Sequence, residues 1–182
     1  IGFDEQLLEN DFQKFSEFVA SVNSDYFLYR DFQSRNIMVK DDDIYFIDYQ
    51  GGRKGALQYD VASLLYDAKA EIPISLREEL LNHYLDKLES SYNISRFEFM
   101  KSYYAFVLIR IMQAMGAYGF RGLFEKKVHL IKSIIPATKN LKYLLENNKI
   151  DFDIPHLHRV FKNLINSNEF KMYEDRDLPN DK

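Results

Sequence analysis

The chain has no cysteine and no tryptophan, and four prolines among its 182 residues. Without cysteine there are no disulfide staples and no thiolate metal sites, and a reducing cytoplasm becomes the expected location. A net positive charge is also lacking. The formal net charge is −4, which leaves no basic footprint for a phosphate backbone and makes nucleic acid a poor candidate partner. No apolar run reaches the length of a membrane span, so no membrane partner is expected. The opening residues, IGFDEQLLEN, have neither the charged start nor the apolar stretch of a signal peptide, and no initiator methionine. A processed or trimmed piece of a longer protein is therefore expected.

What is present is apolar bulk: hydrophobic residues make up 46%, with 15 Phe and 13 Tyr. That is ample for the core of one domain, or of one large lobe. Apolar residues from Leu7 to Val22 recur at spacings of three and four, which predicts a helix capped by Asp4. Short β-like runs follow at 26–29, 37–40 and 44–48, with the polar turn Asp41-Asp42-Asp43 between the last two. Beyond Gly55 the periodicity is helical, and helices are predicted near 58–70, 75–91, 94–116, 122–135, 137–148 and 154–166. Pro73, Pro136 and Pro155 fall near helix starts or between helices, where a missing N–H does least harm. The fold class is α+β, predominantly α-helical. Residues 167–182 form a polar tail or linker.

The chemistry concentrates in YFLYRDFQSRNIMVKDDDIYFIDYQGG, residues 26–52. A turn centred on Asp42 sets Asn36 opposite Asp48 across the hairpin, about 5 Å apart at Cβ. An amide oxygen and a carboxylate so placed suit Mg²⁺, which completes its shell with water and substrate phosphates. Asp31, five residues before Asn36, is placed to orient a hydroxyl beside the same phosphate. This division of labour is that of kinase-type phosphoryl transfer.

The segment YRDFQSRN resembles the catalytic loop H-R-D-x-x-x-x-N, and IDYQGG resembles the D-F-G segment that follows it. More narrowly, RDFQSRNIMV with FIDYQGGRKGALQYDVASLLYD is similar to the aminoglycoside phosphotransferase and choline kinase family of small-molecule kinases. Within that family it looks closest to the branch that phosphorylates N-acetylmuramate and N-acetylglucosamine at the anomeric position, and LIRIMQAMGAYGFRG and IIPATKNLKYLL share that similarity.

The resemblance implies the C-terminal lobe of a protein-kinase-like fold over residues 1–166, using ATP and Mg²⁺ to phosphorylate a small-molecule hydroxyl, with an amino sugar as the expected acceptor. It makes Asp31 the catalytic base, Asn36 and Asp48 the metal ligands, and Arg30 and Asp60 supports of the catalytic loop. Where the family carries His two residues before the catalytic Asp, this chain has Tyr29. The Gly-rich loop and strand Lys of an ATP-clamping N-terminal lobe are not among the residues before Asp31, so such a lobe is an expected partner. The alternative is an inactive kinase-fold binding or scaffold module. A protein kinase fits less well, because no A-P-E follows the D-F-G-like segment.

Other candidates carry less. Asp41, Asp42 and Asp43 lack the spacing of a calcium loop and read as a solvated turn. GGRKG lacks the order of a phosphate-binding loop and reads as a flexible, activation-type segment. Arg53 is a candidate for substrate binding, with a plain surface role as the competing reading. Arg110, a lone charge in an apolar helix, either lines the substrate pocket or pairs with a carboxylate such as Asp60. His83, His129, His156 and His158 form no ligand set.

Overall fold

The structure is a computed structural model that describes residues 2–167. All but the first residue of the expected polar tail, 168–182, lies outside the described residues. Two compact units divide the chain. One runs from Val22 to Arg110; the other combines the residues up to Ser21 with those from Ile111 onward. Among the described residues no helix is long and apolar enough to cross a membrane.

The unit from Val22 to Arg110 holds four short strands and three helices. Strand β1 (Tyr26–Leu28) pairs antiparallel with β4 (Arg53–Gly55), and β2 (Ile37–Lys40) pairs antiparallel with β3 (Asp43–Phe46). Helices α2 (Leu57–Leu65) and α3 (Ile74–Tyr92) follow, and then α4 (Arg96–Ala117), most of which belongs to this unit. Leu65, Leu85, Phe99, Tyr103 and Leu108 are buried in its helical core. Inside that core the Gln58 amide donates to the Phe99 carbonyl and to Ser102 Oγ, joining α2 to α4.

The strand expectations need three corrections. Asp41 and Asp42 alone form the hairpin loop, with φ of 52° and 66°. Two consecutive left-handed residues make the primed turn whose twist matches the strands, and aspartate tolerates that conformation better than most side chains. Asp43 therefore joins β3, and Lys40 opposes Asp43 while Ile37 opposes Phe46. The register is one residue off the expected one. Asn36 now faces Ile47, whose N–H donates to the Asn36 carbonyl at 3.1 Å, and Asp48 lies one residue further on.

Second, β3 ends at Phe46 instead of reaching 48, because Asp48 turns left-handed, φ 68°, and leads into a 3₁₀ turn over Tyr49–Gly51. Third, Arg53 and Lys54 lie in β4, where a flexible segment was expected. Gly55 fits there because a Cβ would come within 2.7 Å of Leu28 Cδ2.

The hairpin is rich in apolar residues, and Met38, Val39, Ile44, Tyr45 and Phe46 are all exposed. Apolar side chains on both strands of an isolated two-stranded hairpin have no partner layer to cover them.

In the second unit, α1 (Glu5–Ala20) starts at Asp4, whose carboxylate accepts the Leu7 N–H. The expected helix over 122–135 is replaced by a π-helical segment (Tyr118–Phe124) and the short α5 (Val128–Ile131). Lys126, at φ 58°, interrupts the helical path between them. Helix α6 (Ile134–Glu146) follows, and α7 (Pro155–Ile165) begins on a proline, where the fixed φ suits a first turn. Phe15 and Phe18 of α1 pack on Phe152 with ring centroids 5.5 and 5.3 Å apart. Asp11, 2% exposed, accepts the backbone N–H groups of His156 and Leu157 at 2.7 and 2.8 Å.

Candidate active site

The loop from Tyr29 to Asn36 runs between β1 and β2, and carboxylates hold it at both ends. Asp60, near the start of α2, accepts the Tyr29 N–H at 2.6 Å and the Arg30 N–H at 2.9 Å. These bonds fix an unusual backbone, since Arg30 has φ 80°, a conformation costly for a residue with a Cβ. Asp67 holds the other end, accepting the Ser34 N–H at 3.0 Å and the Ser34 hydroxyl at 2.6 Å. A 3₁₀ turn over Ser34–Asn36 then delivers the chain to β2.

Within the loop, the buried Asn36 donates Nδ2 to the Asp31 carbonyl at 2.8 Å. Its oxygen Oδ1 is thereby the atom left to meet a cation. Asp31 itself is half-buried. Asp48 is exposed and accepts from the Gln50 amide at 2.6 Å. Among the described residues no three His, Cys, Asp or Glu side chains cluster as metal ligands. One amide oxygen and one carboxylate are hard donors, and they fit Mg²⁺, which takes few protein ligands and keeps water and phosphate.

Tyr29 ties these parts together. Its hydroxyl donates to the Ile47 carbonyl, one residue before Asp48. Burial raises its pKa, and the charges of Asp48, Asp60, Tyr49 and Asp31 raise it further. The Arg30 side chain also crosses to this segment, where a Cβ on Gly51 would sit 3.5 Å from Arg30 Nη1.

Arg110, left open between two roles by its sequence context, donates to the Tyr59 hydroxyl at 2.7 Å and lies 5.0 Å from the centroid of that ring. It also acts on Asp60. Burial raises the Asp60 pKa, the two backbone N–H bonds and then the Arg110 charge lower it, and Asp31 raises it again, with a net upward shift. Arg110 therefore stands behind the loop beside its support. Arg53 is exposed on β4 opposite Leu28, and none of the hydrogen bonds described above involves it.

Two contributors went unnoticed in the sequence. Asp67 lies just past the C-terminal end of α2, two residues beyond Leu65, where the chain leaving the helix meets Ser34. Tyr29 read only as a departure from a motif, and its bridge to Ile47 depends on hairpin register, which no local pattern reveals.

No curated protein gives a significant match to the chain. Residues 6–94 match the family described as APH, the phosphotransferase enzyme family. That span, just under half of the chain, holds every residue of the site except Arg110.

Proposed function

We propose that the chain is the C-terminal, catalytic lobe of a kinase that moves the γ-phosphate of ATP to a hydroxyl of a small molecule, with an amino sugar phosphorylated at its anomeric position as the acceptor. The observation that carries this reading is the loop held by Asp60 and Asp67, in which the Asn36 amide is hydrogen-bonded to the Asp31 carbonyl and the Asn36 carbonyl to the Ile47 N–H, one residue before Asp48.

In this reading Asp31 accepts a hydrogen bond from the acceptor hydroxyl and takes its proton as the oxygen attacks phosphorus. Asn36 Oδ1 and the Asp48 carboxylate hold Mg²⁺, which supplies charge neutralisation on the ATP phosphates when bound. Asp60, Asp67 and Arg110 keep the loop in shape, so that reacting groups are aligned before the chemistry starts. Arg53 is available to meet an anionic group of the substrate.

An N-terminal lobe carrying the nucleotide clamp completes the enzyme in the cytoplasm. The exposed apolar side chains of Met38, Val39, Ile44, Tyr45 and Phe46 support such a covering partner, because contiguous exposed apolar surface marks an interaction site. A second reading, an inactive binding module, draws on Tyr29 standing where the family has His.

The test is a coupled ATPase and product assay of the full-length protein against a panel of amino sugars and amino alcohols with Mg²⁺. Asp31→Ala and Asp48→Ala are each expected to lower turnover at least about a hundredfold. Turnover unchanged in both variants rules the proposal out. ATP binding that depends on Mg²⁺, with no acceptor consumed across the panel, selects the binding module.

A further inference from the structure

We propose that the π-helical turn Tyr118–Phe124, with the residues that follow it up to Lys127, docks the protein reversibly on the surface of an anionic lipid bilayer. The absence of a spanning helix among the described residues bears on crossing a bilayer; docking on its surface takes only a few side chains. No phosphotransferase activity is needed for it.

This stretch differs from the rest of the chain in charge. The whole sequence has 24 Lys and Arg against 28 Asp and Glu, yet residues 111–166 hold nine against four, and residues 118–132 hold four against one. At physiological salt a surface charge is felt over about 8 Å, so the local excess decides what this surface attracts. Within it the Glu125 carboxylate lies 2.9 Å from Lys127 Nζ and 3.7 Å from Arg121 Nε. Lys126 is exposed, and its side chain has no ion pair among the described residues.

The same turn exposes apolar bulk. Phe120 is 61% exposed and Phe124 78%, the highest value among the described large apolar side chains. Their rings stack with centroids 5.5 Å apart and 19° between planes, on a wide turn in which the Glu125 N–H donates to the Phe120 carbonyl five residues back. Gly122 braces the turn against α5, where a Cβ would come within 3.3 Å of Ile131. Two bare rings beside cations match a bilayer surface, where rings enter the acyl boundary and ammonium and guanidinium groups meet lipid phosphates.

Size and geometry select this partner over others. Two phenyl rings bury at most about 500 Å², below the roughly 800 Å² per side that a stable protein–protein interface takes. A nucleic-acid strand stacks its bases on a row of open ring faces, whereas these two rings cover one face of each other.

The experiment is co-sedimentation of the full-length protein with phosphatidylcholine vesicles and with vesicles of about three parts phosphatidylcholine to one of phosphatidylglycerol. Wild type is expected to partition onto the anionic vesicles at least about tenfold more strongly than onto the neutral ones, and to be released by high salt. The double variant Phe120→Ala, Phe124→Ala should lower that partition about tenfold. Lys126→Glu, which removes a cation and adds an anion, should lower it about 25-fold. Melting temperatures equal to wild type verify the fold of both. If the double variant melts lower, Phe124→Ala alone replaces it, with an expected loss of about threefold.

No partition onto either vesicle overturns the proposal. So does equal partition onto neutral and anionic vesicles, or partition that both variants retain in full. Single-stranded RNA bound by wild type and lost from the double variant, without vesicle binding, overturns it in favour of a nucleic-acid strand.

Discussion

Asp11 and Asp60 do the same thing in different units, and the contrast separates cohesion from function. Each places one carboxylate on two consecutive backbone N–H groups that are distant in sequence. At Asp11 the recipients, His156 and Leu157, open a regular helix behind Pro155. Those N–H groups have no partner within the helix, and the helix end attracts negative charge, so the bonds stabilise a backbone that is already relaxed. At Asp60 one recipient is Arg30, φ 80°. There the same pair of bonds holds a backbone that would otherwise relax, and that backbone carries Asp31. One carboxylate acts as glue; the other acts as a mould.

Removing each tests the distinction. Asp11→Ala strands two N–H groups and is expected to lower unfolding stability by about 3 kcal/mol while the kcat of the folded protein is unchanged. Urea denaturation followed by circular dichroism, beside kinetics well below the transition, measures both. A fall in kcat at retained fold would show that Asp11 is more than cohesive.

Asp60→Asn should give the reverse pattern. Burial holds the Asp60 pKa above its ordinary 3.8 despite two N–H donors, so the folded state binds that proton more tightly than the unfolded chain does. The contribution of this group to stability therefore falls as pH rises from 3.8 through the raised value. At neutral pH the neutral amide is expected to leave stability nearly unchanged, while kcat drops about a hundredfold because one loop N–H loses its acceptor and Asp31 shifts. Equal losses in stability and kcat, in the proportion seen for Asp11→Ala, would erase the difference between the two carboxylates.

That difference was only half legible in the sequence. Periodicity located α1, α3 and α4 closely, since long amphipathic patterns survive their surroundings. Hairpin and motif spacing singled out Asp31, Asn36 and Asp48 as candidates, and the family resemblance added Asp60. Register did not survive. Asp41 and Asp42 both turned left-handed, which shortened the loop by one residue and set Asn36 opposite Ile47, with Asp48 the next residue along. Nothing local distinguishes a loop of two aspartates from a loop of three. Asp11 was invisible for a similar reason: an aspartate in a helix reads as solvated, and its burial depends on an α7 terminus 145 residues away. The π-helical turn and Lys126 likewise break a pattern that reads as continuous helix.

The smallest effect probes Asp11 from the other side. His158 lies on α7, one helical turn from Lys162, and its Nε2 is buried with no hydrogen-bond partner among the described residues. Burial lowers its pKa from 6.5, Lys162 lowers it further, and Asp11 partly opposes both. A folded value below 6.5 means that the unfolded chain binds the proton more tightly, so stability is lost as pH falls from 6.5 toward the folded value and is intact above 6.5. His158→Leu should flatten that part of the stability profile, read as urea midpoints between pH 7.5 and 5. The coupling to Asp11 gives a sharper check. In Asp11→Asn the opposing charge is gone, so the His158 imidazole, followed by its ring proton resonances, should titrate at lower pH than in wild type. If its titration is unmoved, Asp11 acts on α7 through its two N–H bonds alone, and its charge contributes nothing to the cohesion of that unit.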